Sequence, residues 1–279
     1  MRAEPRFGER ALLLESGGER VVVVGDLHVG LESDLKRSGL HIPSQTGRMR
    51  SRLGAIVRET MPDRLVVLGD LKHAIAYAAR QETEELEDFF LGLGVPVDLV
   101  PGNHDADIPV LAGVEVHPAT GIRVGEAALL HGHTWPSDRV MDGARLVAFC
   151  HNHPAVLLVD ELGHRHKEPC WIRAPFAEAA RERWPTLDPD ARAIAIPAFN
   201  DLVGGVAFNA LEGEHPLGPL LANGLVDLDA GRLYTLDGVD LGTLADMREF
   251  GAARETERKP RARRRARRKP RDGSGATGR

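Results

Sequence analysis

The sequence VVVVGDLH at residues 21–28 joins four consecutive valines to a glycine, an aspartate and a histidine. A short apolar run that stops at Gly or Asp is typical of a buried strand. Two similar junctions follow, LVVLGDLKH at residues 65–73 and VDLVPGNHD at residues 97–105. Three consecutive predicted strands therefore end in side chains that can bind metals.

Amphipathic stretches separate these runs and predict two helices, at residues 45–60 and 81–93. Alternating strands and helices are typical of a layered α/β domain, in which ligands bind at the carboxyl edge of the sheet. The second half of the chain contains mostly strand patterns. Residues 193–196, 232–236 and 239–241 are predicted to add strands to a second sheet.

Two further junctions carry histidines, AALLHGH at residues 127–133 and LVAFCHNH at residues 146–153. Five predicted strands thus end in Asp, Asn or His. Imidazoles suit manganese, iron, zinc or nickel better than calcium or magnesium, and a carboxylate can bridge two ions. Two such ions clamp the attacking and the leaving oxygen of a displacement at phosphorus. The pattern therefore predicts phosphoester hydrolysis, with a metal-bridged hydroxide as nucleophile.

In this order and spacing, the motifs GDLH, GDLKH, GNHD, HGH and HNH resemble the calcineurin-like metallophosphoesterase superfamily. The segments DLHVGLE, HGHTWP, CWIRAPF and PAFNDLVGG are similar to its ICC-like branch, which includes the DNA-ligase-associated phosphoesterases and is related to nuclease subunits of double-strand-break repair. The resemblance covers residues 10–245. It implies a four-layer αββα sandwich, which we expect to occupy residues 1–250.

The resemblance also implies two metal sites that share one carboxylate. The first would be formed by Asp26, His28, Asp70 and His153. The second would be formed by Asp70, Asn103, His131 and His151, so that Asp70 bridges the two ions. Mn²⁺ is the expected metal, with Fe, Zn, Ni and Co as alternatives.

The resemblance implies a different role for His104, which would face the scissile phosphate. There it would either protonate the leaving alkoxide or neutralise the charge that develops on the phosphoryl oxygens. Asp105 or His73 is expected to orient it. His133 is predicted to form a hydrogen bond near His131. Lys72 either reaches a substrate phosphate or is an exposed or packing lysine.

Three further assignments leave alternatives open. Asn200 either lines the pocket or caps a turn, and the turn is the simpler interpretation. The superfamily's last motif also has a second candidate in His164 and His166, but these lie in a polar stretch that predicts a hairpin, so the strand-terminal HNH segment is favoured. Trp135 and Trp171 are either core aromatics or base-stacking platforms, and the core role is favoured.

The net charge of −5 combines two unlike parts of the chain. Residues 252–279 contain twelve Arg or Lys against three Asp or Glu, a net charge of +9, and leave −14 on residues 1–251. The segment 251–279 contains almost no apolar residues, so we expect it to be a disordered, Arg-rich tail that contacts nucleic acid.

Two cysteines are too few for a disulfide scaffold, and we expect both to be buried thiols. The chain has no apolar run long enough to span a membrane and no signal peptide pattern, which predicts a cytoplasmic protein.

The predicted function is therefore hydrolysis of phosphodiesters, with DNA or RNA as the expected substrate in DNA repair or processing. A DNA helicase or ligase is an expected partner by family analogy. The alternative within enzymes is a phosphodiesterase of nucleotides or cyclic nucleotides. The alternative of another class is a catalytically silent scaffold or nucleic-acid-binding subunit.

Overall fold

Two β-sheets form the centre of the protein in the computed structural model, which describes residues 1–74, 80–210 and 216–250. The first sheet contains six strands in chain order: β1 (Arg2–Pro5), β2 (Leu12–Ser16), β3 (Glu19–Gly25), β4 (Arg64–Leu68), β5 (Val97–Val100) and β6 (Val114–Val116). Strands β3 to β6 are parallel, whereas β1 and β2 pair antiparallel at one side.

The second sheet contains nine strands: β7 (Ile122–Val124), β8 (Ala127–Leu129), β9 (Leu146–Phe149), β10 (Pro154–Val159), β11 (Arg165–Pro175), β12 (Arg192–Ala195), β13 (Val206–Ala207), β14 (Arg232–Thr235) and β15 (Asp240–Thr243). The main order of strands is β13, β10, β11, β12, β9, β8, β7. Strand β14 lies outside this order and pairs with both β11 and β15. The strands predicted near residues 193–196, 232–236 and 239–241 belong to this sheet, as expected.

Seven helical segments complete the described part of the chain: α1 (Leu31–Arg37), α2 (Thr46–Thr60), α3 (Arg80–Phe90), α4 (Asp138–Met141), α5 (Glu178–Arg183), α6 (Pro219–Ala222) and a 3₁₀ turn (Phe208–Ala210). Helix α2 ends at Met61, whose φ of 44° is left-handed, and Pro62 prevents its continuation. Helices α2 and α3 confirm the two amphipathic predictions to within a few residues.

The two faces of each sheet explain the four layers. In β3, Val22 and Val24 pack in the core formed with α2 and α3, whereas Val21 and Val23 pack against the second sheet. This alternation follows from the two-residue period of a strand. The outer face of the second sheet packs with residues of α4, α5 and α6. The αββα sandwich is therefore confirmed.

Burial of particular side chains both confirms and corrects the sequence expectations. Cys150, Cys170 and Trp171 are buried, as predicted. Trp135 is 43% exposed, so its assignment to the core is wrong. It lies on the loop between β8 and α4, outside both sheets. The predicted tail at residues 251–279 lies outside the described residues, and the domain end near residue 250 stays a prediction.

No helix within residues 1–74, 80–210 and 216–250 combines the length and the apolar character that a membrane span requires.

Candidate metal centre

The carboxyl ends of β3, β4, β5, β8 and β9 converge at one edge of the sandwich. Five of the seven predicted ligands have left-handed backbone there: Asp26 (φ 56°), His28 (43°), Asp70 (48°), His151 (65°) and His153 (44°). Such a conformation costs a non-glycine residue about 1–3 kcal/mol and concentrates at functional sites. The loops are thus folded to turn these side chains inward, at the expense of local stability.

The first group of side chains contains Asp26, His28, Asp70 and His153, whose ligand atoms all lie within 4.8 Å of one another. The Asp26 Oδ1 and His153 Nε2 atoms are 3.5 Å apart, and the His28 Nε2 and Asp70 Oδ2 atoms are also 3.5 Å apart. Within the described chain, Asp26 Oδ1, His28 Nε2 and His153 Nε2 are buried without a hydrogen-bond partner. Buried polar atoms are normally paired, so this convergence fits a bound cation.

The second group contains Asp70, Asn103, His131 and His151. The His131 Nε2 atom lies 3.1 Å from His151 Nδ1, 3.2 Å from Asn103 Oδ1 and 3.6 Å from Asp70 Oδ1. Donor atoms at about 2.0–2.2 Å from one ion lie about 3 to 3.6 Å from each other. Both groups therefore have the spacing of a coordination shell.

Asp70 belongs to both groups. Its Oδ2 faces His28 in the first group, and its Oδ1 faces His131 in the second. Gly102 packs so closely on Asp70 that any side chain at position 102 would collide with this carboxylate. The contact explains the glycine of the GNHD motif.

Hydrogen bonds of the outer ring nitrogens determine how two histidines face the site. The Nδ1 atom of His131 donates to the Leu68 carbonyl oxygen at 2.9 Å, and Nδ1 of His153 donates to the Gly204 carbonyl oxygen at 3.0 Å. Because a carbonyl only accepts, Nδ1 carries the proton and Nε2 keeps its lone pair for a metal.

Burial sets the charge of the site. It lowers the pKa of His28 to about 3 and the pKa of His151 to about 3, so both rings are neutral at neutral pH, as metal binding requires. Burial alone would raise the pKa of Asp26, but the facing His153, His131 and His28 hold it below its usual value. The residues present therefore fit two divalent cations.

Comparison with known proteins agrees with this chemistry. A family model described as calcineurin-like phosphoesterase matches residues 19–194, which is more than half of the chain. The chain belongs to the calcineurin-like phosphoesterase family. It is accordingly a metal-dependent phosphoesterase, and the family implies divalent metal ions. The comparison does not specify the ICC-like branch.

A solved structure gives a second comparison. The crystal structure of the Pseudomonas putida nuclease MPE superposes with a TM-score of 0.52 at 21% sequence identity, covering 83% of this chain and 100% of that one. At this identity the likeness shows the fold alone. No curated protein matches the chain.

His104 of this phosphoesterase lies beside the first group of ligands. Its Nδ1 atom donates to the backbone carbonyl oxygen of His73 at 2.6 Å, and the two rings stack with centroids 5.6 Å apart. Its ring centroid is 4.9 Å from that of His28. Because this carbonyl accepts the Nδ1–H, it fixes the orientation of the His104 ring.

Asp105, one of the two candidates to orient His104, binds backbone N–H groups instead. Its Oδ1 accepts from the Leu71 backbone N–H and its Oδ2 accepts from the Gly102 backbone N–H, both at 2.8 Å. It therefore ties together the two loops that carry Asp70 and Asn103 and does not orient the His104 ring. Its burial raises the pKa of its carboxyl group.

Lys72 packs inside the protein, which was one of its predicted alternatives. The side chain is fully buried, and its Nζ donates to the carbonyl oxygens of Ala74 at 2.5 Å and His104 at 2.7 Å. Its charge therefore stabilises backbone carbonyls beneath the site and does not face a substrate.

His133 makes a ring contact in place of the predicted hydrogen bond. Its ring centroid lies 5.1 Å from that of His131 and 6.1 Å from that of His151. Within the described residues its buried Nδ1 atom has no hydrogen-bond partner, and burial lowers the pKa of the ring. It borders the second group of ligands.

Asn200 caps a turn and also supports the site. Its Oδ1 accepts from the Leu202 backbone N–H at 2.9 Å, as a turn-capping residue does. Its Nδ2 donates to the Leu27 carbonyl oxygen at 2.9 Å, and the side chain is fully buried. Asn200 thus holds the backbone between Asp26 and His28.

Replacing Asn200 by Ala should destabilise this loop. We expect the free energy of unfolding to fall by about 1–3 kcal/mol, because the Leu27 carbonyl loses its buried partner, and metal affinity to fall by about 10- to 100-fold. Chemical denaturation and metal titration measure the two effects. The control is Asn223→Ala, which removes an exposed bond to Pro219 and should change stability by no more than about 0.5 kcal/mol. Equal behaviour of the two variants would contradict the positioning role.

His164 and His166 lie apart from these groups. They fall at the hairpin formed by β10 and β11, as predicted, where His164 pairs with Asp160 and is 67% exposed. Neither belongs to the groups of potential ligands found in the described chain. The geometry therefore favours His151 and His153.

Sequence reasoning missed Asn152, which lies between His151 and His153 and is buried. Its side chain donates to the Leu217 carbonyl oxygen at 3.0 Å and accepts from the Leu217 N–H at 2.6 Å. The partner is 65 residues away, so no local pattern identifies the pair. An Asn between two predicted ligands was the available signal.

Proposed function

We propose that the protein is a dinuclear phosphodiesterase that acts on nucleic acid and uses Mn²⁺. The observation that carries the dinuclear assignment is Asp70, whose two oxygens face different groups of ligands. Asp26, His28, Asp70 and His153 would hold one ion, and Asp70, Asn103, His131 and His151 the other.

Bound ions would supply a nucleophile of lowered pKa and neutralise the charge of the phosphate. The chain supplies the remaining functions. The strained loops hold the ligand atoms at the spacing of a coordination shell, which reduces rearrangement during catalysis. His104, with Nδ1 bound to the His73 carbonyl oxygen, offers Nε2 to protonate the departing alkoxide.

The ligand types support Mn²⁺. The two groups combine carboxylate and amide oxygens with four imidazole nitrogens, a mixture that suits metals between hard Mg²⁺ and thiolate-binding ions. The buried Cys150 thiol is the only sulfur in the potential ligand groups of the described chain, and burial raises its pKa well above its usual value. Fe, Zn, Ni and Co remain the alternatives for the metal analysis.

Three observations support nucleic acid as the substrate class. The segment 252–279 has a net charge of +9, which would attract a polyanion to an otherwise acidic chain. Two cations would reverse the local charge of the site itself. The structural neighbour from Pseudomonas putida is described as a nuclease. A role in DNA repair, a helicase or ligase partner and a cytoplasmic location stay predictions.

A substrate panel tests this proposal. With Mn²⁺ we expect turnover of bis(p-nitrophenyl) phosphate and of single-stranded DNA, duplex ends or RNA, and no preference for cyclic nucleotides. Matched reactions with Mg²⁺, Zn²⁺ or chelator identify the metal requirement. Removing residues 252–279 should weaken nucleic-acid binding but leave turnover of the aryl diester unchanged.

Two results would contradict the proposal in different ways. Turnover of cyclic nucleotides without cleavage of DNA or RNA would indicate the small-molecule alternative. Absence of turnover with every divalent metal would indicate a silent scaffold.

A further inference from the structure

Trp135 is the exposed member of the three tryptophans in the chain. It is 43% exposed, whereas Trp171 and Trp184 are 1% and 2% exposed. Single apolar side chains at a surface are common, so exposure by itself assigns Trp135 no role. Its position in the loop after β8 gives it no place in either core of the sandwich.

The indole of Trp135 is held in place from one side. Its ring centroid lies 6.2 Å from that of Trp184, and the Arg183 guanidinium lies 5.7 Å from the Trp135 ring and 5.2 Å from the Trp184 ring. Asp138 fixes this arrangement, because its Oδ1 accepts from Trp184 Nε1 at 3.1 Å and from Arg183 at 3.2 Å. The Trp184 and Arg183 side chains thus form an ordered support on one side of the Trp135 indole.

The same loop carries Trp135 and residues that face the metal centre. It carries His131, whose Nε2 faces the second group of ligands, and His133, whose ring borders His151. Only Thr134 separates His133 from Trp135, so their Cα atoms lie at most about 7 Å apart. Trp135 therefore follows the centre closely enough in the chain for a substituent next to a bound phosphodiester to reach this loop.

The chemistry of this surface matches a nucleobase. Aromatic rings bind the flat faces of bases by stacking, and Arg adds attraction to the ring and to phosphate. We propose that Trp135 and Arg183 form a stacking platform for the base next to the scissile phosphate. The platform deepens the proposed function and rests on it, since it assigns nucleic acid as the ligand. It also predicts a substrate that is single-stranded at this position, because a base in a duplex is already stacked and paired.

Two oligomers of equal length test the platform on the full-length, metal-free protein. One is oligothymidylate, and the other carries tetrahydrofuran in place of every base. Both have the same phosphates, so any contribution from the Arg-rich segment 252–279 is equal. We expect the base-bearing oligomer to bind about 5- to 150-fold more tightly and to quench the tryptophan emission, since Trp135 is the exposed fluorophore.

Substitution then assigns the effect to the residue. In Trp135→Leu the ratio of the two affinities should fall close to one, whereas Trp135→Phe, which keeps an aromatic face, should retain most of it. An unchanged ratio in a folded Trp135→Leu, or binding of oligothymidylate to the wild type without quenching, would overturn the platform.

The outcomes for the two proposals are separable. Cleavage of DNA by the wild type together with an unchanged affinity ratio in Trp135→Leu would overturn the platform and keep the proposed function. Turnover of the aryl diester without cleavage of any nucleic acid would overturn the proposed function and, with it, the assignment of this surface to a base.

Discussion

Replacing Asp70 by Asn is expected to reduce kcat/KM for a phosphodiester by at least about 1,000-fold, more than the ~10- to 100-fold typical for loss of an outer-shell partner. The reason is that one carboxylate faces both groups of ligands, through Oδ2 to His28 and Oδ1 to His131. Asparagine keeps the shape and tolerates the left-handed backbone at this position, but it removes the charge. Steady-state kinetics and metal content of the purified variant measure the loss.

The matched control is Asp190→Ala, which removes an exposed carboxylate outside both groups. It should keep wild-type kinetics. Retention of two ions and near-normal turnover by Asp70→Asn would show that this carboxylate does not bridge.

Replacing His104 by Ala should lower kcat on DNA by about 10²- to 10⁴-fold while metal content stays unchanged. The ring contributes no atom to either group of four ligands, and its Nδ1 is occupied by the His73 carbonyl oxygen. If its Nε2 protonates the leaving group, the loss must depend on that group. An alkoxide needs the proton, whereas p-nitrophenolate departs readily without it.

We therefore expect a much smaller loss on bis(p-nitrophenyl) phosphate than on DNA. His164→Ala, which removes an exposed histidine, serves as the control and should match the wild type. Equal losses on the two substrates would assign His104 to charge stabilisation instead of proton transfer. Loss of metal from the variant would place it among the ligands.

Much of the fold could be predicted because its signals are local. The runs at residues 97–100 and 146–149 become β5 and β9 with the same bounds, since buried strands of this length consist of apolar residues that stop at a polar turn. The convergence of ligands follows equally directly, because the carboxyl ends of neighbouring parallel strands meet at one edge.

The supporting contacts could not be predicted in the same way. Asp105 bonds to backbone N–H groups of the loop that carries Asp70, and His104 bonds to the backbone of His73. Backbone groups have no residue-specific signal in a sequence, so only the folded loops reveal these partners. Lys72 shows the same limit, since a lysine on a predicted loop is expected to be exposed until two carbonyls are brought to its ammonium group.

The surface around Trp135 illustrates a different limit. A tryptophan close to a buried strand is usually part of a core. The predicted strand ends before His131, but the sequence does not show which elements pack against the loop that follows it. The exposure of Trp135 depends on where α4 begins and on the packing of Trp184, which is 49 positions further along the chain.

The ratio of bound metal to protein tests the dinuclear centre most directly. Elemental analysis after saturation with Mn²⁺ and removal of free metal should give two ions per chain for the wild type. A His151→Ala/His153→Ala variant removes one ligand from each group and should retain less than one ion, whereas His164→Ala/His166→Ala should still bind two. One ion or none in the wild type, or loss of metal confined to the His164/His166 variant, would contradict the account.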